Sequence, residues 1–188
     1  MGEIQSSWEI ARKKADLLGE LSVDEQRKQR EERCQPVAKS LVDKYLDEQD
    51  ARRLKKELDV YQAEDKNLIR QMAIHRLIDC IELQNSSILD KAISGVLILV
   101  NNEMVGQVVG QIKQLFIAYG EIEKTERQKI EIAGREILHQ QRISGTAISM
   151  INIRAREEWQ ERLKEIAQPF EKQLYNLKQE LSRSVTGS

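Results

Sequence analysis

Apolar residues recur along the chain at spacings of three and four, the period of helices with one buried face. Ile4, Trp8, Ala11, Ala15 and Leu18 predict a first helix, loosened at its end by Gly19. Ser22-Val23-Asp24-Glu25 then has the form of a capping box, in which a serine oxygen takes an orphan amide while a glutamate reaches back. The helix it opens, from Glu25 to about Cys34, is nearly bare of apolar positions. A helix polar all round lies in solvent, bridges elements or packs on a partner. Pro36 restarts the chain as a first-turn residue of a short amphipathic helix carrying Val37, Leu41, Val42, Tyr45 and Leu46. Asp50 caps a third segment with Leu54, Leu58 and Tyr61 on one face.

From Leu68 the apolar pattern thickens. Leu68, Ile69, Met72, Ala73, Ile74, Leu77, Ile78, Cys80, Ile81 and Leu83 occupy almost every direction around a helix, which predicts a central element contacted on several sides. Asn85-Ser86-Ser87 breaks it, and Ser87-x-x-Asp90 has the spacing to cap the next helix. Residues 92–100 carry no charge; Asn101-Asn102-Glu103 then reads as a turn. Met104 to Tyr119 is helical again, with Val105, Val108, Val109, Ile112, Leu115, Phe116 and Tyr119 inward.

The last third differs. Trp159, Leu163, Ile166, Phe170, Leu174, Leu177 and Leu181 form a narrow seam with charge elsewhere, the pattern of a packed helical arm or coiled coil. Ile122, Ile130, Ala133, Ile137, Ile148, Ile151 and Ala155 carry a looser version upstream. Ser144-Gly145-Thr146 is the candidate hairpin turn, and one helix running through it is the alternative. Pro169, inside the seam, is expected to kink the helix or end it at Gln168. The preferred picture is two long antiparallel helices, about 120–143 and 146–183. The fold class is therefore all-α: a multi-helix bundle of six to eight helices with a long C-terminal hairpin or coiled-coil arm.

Charge divides the chain into three zones. Residues 1–66 hold 14 basic and 16 acidic side chains, residues 67–119 form the apolar core helices, and residues 120–188 the long amphipathic ones. These are parts of one continuous domain with an arm. The formal charge of −1 and the absence of long like-charged runs remove the electrostatic footprint of a nucleic-acid binder. Arg27, Lys28, Arg30 and Arg33 are interleaved with Glu25, Glu31 and Glu32 and have no aromatic stacking platform beside them. Nine Gly and 2 Pro are too few for an all-β chain. Two Cys make no disulfide scaffold, and the first residues lack a signal-peptide pattern, so the expectation is a cytoplasmic protein.

Candidate chemistry is sparse. Glu136 and His139 form an E-x-x-H pair, the half-motif of di-iron bundles, but the other histidine, His75, has Met72 three residues before it. His75 and Cys80 stand five apart, Cys34 is distant, and no C-x-x-C exists. His75 therefore reads as a core or boundary histidine and Cys80 as a small buried residue; no cofactor is expected. Glycine-rich phosphate loops and nucleophile elbows are missing. Gly106-x-x-x-Gly110 lies in a stretch, residues 92–112, whose one formal charge is Glu103. With Asn101, Asn102, Gln107 and Gln111 also inside it, two core helices packed closely through small residues is the favoured reading over a membrane segment.

Met1-x-Glu3-Ile4-x-Ser6, with Glu9 and Ala11 beyond, resembles the start of a family of small uncharacterised bacterial helical proteins of the domain-of-unknown-function type. The charged helix, the Leu54–Leu58–Tyr61 segment and the apolar helix from Leu68 continue the likeness over about the first half of the chain. It implies a bacterial cytoplasmic protein and carries over no activity and no site residue.

The function expected from these features is a non-enzymatic interaction or scaffold protein that self-associates or binds a protein partner. Trp159, Leu163, Ile166, Phe170, Leu174, Leu177 and Leu181 are its candidate interface. The alternatives are a metal protein or enzyme centred on Glu136 and His139, and a peripheral membrane protein using residues 92–119.

Overall fold

The computed structural model describes residues 22–100, 103–141 and 156–186. They form six helices and no strand: α1 (Val23–Glu48), α2 (Ala51–Asp59), α3 (Ala63–Asp79), α4 (Ser86–Leu99), α5 (Glu103–Gln140) and α6 (Glu157–Thr186). The stripe at Ile4–Leu18, the Asn101-Asn102 turn and the Ser144-Gly145-Thr146 turn lie outside the described residues.

Two starts are where the local chemistry places them. The Glu25 amide donates to Ser22 Oγ at 3.2 Å and the Ser22 amide to Glu25 Oε2 at 2.8 Å, completing the capping box. Asp50 Oδ1 accepts from the Arg52 and Arg53 amides at 2.9 and 3.1 Å. The Ser87-x-x-Asp90 cap does not form. α4 begins two residues earlier than that cap would place it, at Ser86 after Asn85, and the Ser87 hydroxyl donates to the Asn85 side chain instead.

Pro36 does not restart the chain; it lies inside the 26-residue α1. A proline there removes one backbone hydrogen bond, at about 3 kcal/mol. Packing holds the helix on both sides of it: Cys34, Ala38, Leu41, Val42 and Tyr45 are buried. The polar first half is tied down too, by Arg33 to Asp65 at 2.7 Å and Arg30 to Glu64. Those pairs join α1 and α3 at one end, while Tyr45 and Leu77 both reach Gly95 near the other, so α1 and α3 run parallel. Arg70 of α3 meets Leu99 at the end of α4, so α4 runs back against them.

α3 is the central element, with Ile69, Ala73, Ile74, Leu77 and Ile78 buried. It ends at Asp79, and Ile81 and Leu83 complete the core from the following loop. Three helix ends share one device: carbonyls left without helical partners accept from a cation on another helix. Lys91 donates to Leu46 O at 3.1 Å, Arg70 to Leu99 O at 2.7 Å, and Lys178 to Asp79 O and Ile81 O, both at 3.1 Å. These bonds join α4 to α1, α3 to α4 and α6 to α3.

The expected break near residue 120 is absent. α5 is one helix of 38 residues that crosses the proposed 119/120 boundary, merging the Met104–Tyr119 segment with the first arm helix. α6 starts at Glu157 and continues through Pro169, which does not end it at Gln168. Ala167, Leu174, Leu177, Leu181 and Val185 are buried and hold the helix around the proline. Phe170 lies 5.5 Å from Tyr119, ring to ring, and Arg162 pairs with Glu126. Position rises on one helix as it falls on the other, so α5 and α6 are antiparallel, as expected.

Gly106 and Gly110 are not a packing surface. Both are exposed, and a Cβ built on either meets nothing within 4 Å. The inward face of α5 is Val105, Val108, Val109 and Ile112, which turns the glycines outward. The close approach is Gly95 on α4. A Cβ there would lie 2.7 Å from Tyr45 Cε1 and 2.9 Å from Leu77 Cδ1.

Candidate functional site

The α5–α6 pair has two halves of different character. In one, Val105 to Tyr119 of α5 and Ala167 to Val185 of α6 bury aliphatic and aromatic side chains against each other, α3 and α4. In the other, past the first turn of α4, charged side chains dominate. There Glu126 and Ile130 are buried, while Ile122 and Ile132 stand exposed. Where the halves meet, a groove of about 1280 Å³ opens. Its end wall is Leu83 with the first turn of α4, and its side walls are α5 from Lys113 to Arg127 and α6 from Gln160 to Glu171.

The floor is apolar. Leu89, Phe116, Tyr119 and Ala167 line it and are each at most 9% exposed. Leu163 is half-buried on the α6 side, and Ile117 stands 64% exposed at the α5 lip. Burial pushes the Tyr119 phenol above its ordinary pKa, and the Glu123 carboxylate adds to the effect. Tyr119 is thus a neutral wall residue that keeps its proton. The lip is charged. Asp90 and Lys113 pair at 3.4 Å, and Arg127 pairs with Glu123 at 2.6 Å.

Glu126, just beyond the groove, is a charge buried where the looser apolar stripe would place an apolar residue. It is 5% exposed, takes Lys129 Nζ on Oε2 at 3.2 Å, and faces the Arg162 guanidinium with Oε1. The Oε1 contact is an ion pair without hydrogen-bond geometry. The carboxylate is buried while Arg162 and Lys129 stand more than half exposed, so losing the cations strands a buried carboxylate. The pair with Arg162 joins α5 to α6 in one register.

The seven seam residues divide along the same line. Leu174, Leu177 and Leu181 are 9% exposed or less and form part of the chain's own core, so they are not available to a partner. Phe170 is half-buried against Tyr119, and Trp159, Leu163 and Ile166 are half-buried. The Arg156 guanidinium lies 5.3 Å from the centre of the Trp159 ring. Of the seven, Leu163 lines the groove. Phe116 and Tyr119 come from the inward positions expected on α5, whereas no expected face includes Leu89, Ile117 or Ala167; their sequence signals are apolarity at a helix start, on an outward face and beside the seam.

Glu136 and His139 are both exposed, on the outer part of α5. Among the described residues no three His, Cys, Asp or Glu side chains converge as a metal-ligand set. His75 is half-buried and Cys34 fully buried, as boundary and core residues. Cys80 is only half-buried rather than buried, and desolvation pushes its thiol pKa up. No helix among the described residues is long and apolar enough to cross a membrane, and Ala92, Ile93, Val96 and Leu99 of α4 are core. No family model, curated protein or solved structure matches the chain.

Proposed function

We propose that the protein is a non-enzymatic helical interaction module that seats an α-helix of a partner polypeptide in the groove between α4, α5 and α6. The groove itself carries this reading. At about 1280 Å³ it exceeds the 300–1,000 Å³ typical of small-molecule sites. It has an apolar floor and a polar lip, the anatomy of a protein-binding patch. Its walls are two antiparallel helices, with one side left open among the described residues, the shape that an amphipathic helix fills through anchors at i, i+3, i+4 and i+7. A bacterial cytoplasmic setting belongs to the same reading and rests on the resemblance of the first half of the chain. Self-association is the case in which a second copy supplies the helix.

The test is a titration with a fluorescent amphipathic peptide of about eighteen residues, with leucines on one face and glutamines elsewhere. Saturable one-to-one binding, abolished by Leu163→Glu and by Ile117→Glu, supports the reading. Ile117 is an exposed lip residue, so its variant keeps the fold. Absence of binding, or binding indifferent to both substitutions, overturns it.

A further inference from the structure

The lip of the groove is more selective in its chemistry than the floor. On α4 and α5 the lip charges are matched within the molecule, Asp90 by Lys113 and Glu123 by Arg127. The α6 side is different. Glu161, Glu165 and Glu171 line the groove, are exposed, and have no ion-pair partner among the described residues; Lys164 stands between them as the one cation. The three carboxylates span about 15 Å along the helix, close to three turns.

We propose that the occupant is an amphipathic helix of another protein that carries lysine or arginine along one edge, an assignment that rests on the groove taking a helix at all. Its apolar face would cover Leu89, Phe116, Tyr119, Leu163 and Ala167, while the basic edge runs beside Glu161, Glu165 and Glu171. The fit is one of charge complementarity at a wetted lip. Cations of the occupant stay in water and avoid the desolvation penalty of a buried pair. An acidic edge meets three like charges, and a neutral edge leaves them unmatched. Such rim charges govern which partner is admitted, and how fast, more than how tightly the floor is covered.

Three fluorescein-labelled peptides test this. All share the leucine face and differ along one edge, with lysine, glutamine or glutamate. Near 0.05 M salt the lysine peptide is expected to bind about tenfold more tightly than the glutamine peptide, as three exposed pairs allow. The glutamate peptide is expected to bind weakest. At about 0.5 M salt the three converge, because exposed charges are then screened. The triple variant Glu161→Gln, Glu165→Gln, Glu171→Gln, checked for native helicity, is expected to lose the lysine preference and keep its affinity for the glutamine peptide. Equal binding of the three peptides at low salt, or a preference for glutamate, overturns the basic edge and leaves the groove reading standing. If no peptide binds, the groove reading falls and this proposal with it. A light-scattering mass of twice the chain before any peptide is added, returned to that of one chain by Ile117→Glu, assigns the groove to a second copy and overturns the proposal of a different protein.

Discussion

Replacing Gly95 by alanine perturbs the bundle where three helices approach one another. The added methyl carbon lies 2.7 Å from Tyr45 Cε1 and 2.9 Å from Leu77 Cδ1. Favourable carbon–carbon separations are about 3.5–4.0 Å, so it overlaps both side chains by roughly 1 Å. Neither neighbour can swing into solvent, since Tyr45 is 5% exposed and Leu77 is fully buried. Overpacking of this kind costs about 1–3 kcal/mol. Alanine returns about 1 kcal/mol through its better helix propensity. The expected result is a net loss of about 1 kcal/mol, and at most about 2. For a chain of this size that lowers the melting temperature by about 2–4 °C for each kcal/mol.

The control substitutions run the opposite way. Gly106→Ala and Gly110→Ala place a methyl where nothing lies within 4 Å. Each keeps the propensity gain without the clash and is expected to stabilise by about 1 kcal/mol. Urea unfolding followed by circular dichroism reads all three as midpoint shifts at an unchanged slope. A Gly95→Ala variant stabilised as much as Gly106→Ala, by about 1 kcal/mol, would refute the packing assigned to α1, α3 and α4. A loss of stability on Gly110→Ala would refute the outward face of α5.

Three further outcomes can be measured. Leu181→Ala, at a fully buried position, is expected to cost about 2–5 kcal/mol, while Leu163→Ala at the groove costs about 1 kcal/mol or less; equal losses would contradict the division of the seam. Lys178→Met leaves the Asp79 and Ile81 carbonyls without their donor, and thermal melts should show a loss of about 1 kcal/mol; an unchanged melt would count against the bridge. The Ser22 amide and hydroxyl hold the Glu25 carboxyl below its ordinary pKa. The cap it forms is therefore complete above the unfolded-state pKa and fades as pH falls through the lower folded value. A nuclear magnetic resonance titration placing Glu25 at or above the ordinary glutamate value would dispose of that account.

The parts legible in the sequence are those decided within a few residues. Ser22 and Asp50 cap helices because their partners are three residues away at most, and any longer-range arrangement leaves that chemistry intact. The central position of α3 was legible because apolar residues occupy almost every direction around it. Pro36 and Pro169 were misleading for the opposite reason. Each weakens its helix locally, and burial of residues on either side, which only the tertiary fold supplies, outweighs the loss. Gly106-x-x-x-Gly110 matched a packing motif, yet the phase of Val105, Val108, Val109 and Ile112 already placed those glycines outward. Gly95 was hidden because its helix is apolar almost all round. The seam showed which face of α6 is apolar, but periodicity does not say whether that face is covered by its own chain.

Coverage follows from element lengths. α4 has 14 residues and α5 has 38, or about 21 Å against 57 Å of helix. A short helix packed beside a longer pair covers it only for its own length, and α4 reaches the groove with its first turn. Before that point along α5 the inward positions are Val105, Val108, Val109, Ile112 and Leu115, all buried. Beyond it the apolar positions become sparse, Glu126 takes an interhelical site, and α6 carries Glu161, Glu165 and Glu171. Side chains suited to water thus begin where the covering helix stops, while Phe116, Tyr119 and Ala167 remain on the floor at the junction. The groove is the place a third helix would occupy if α4 were extended past its N-terminus. An occupant from another chain would continue the bundle along the same axis, with charge at the lip deciding which helix is admitted.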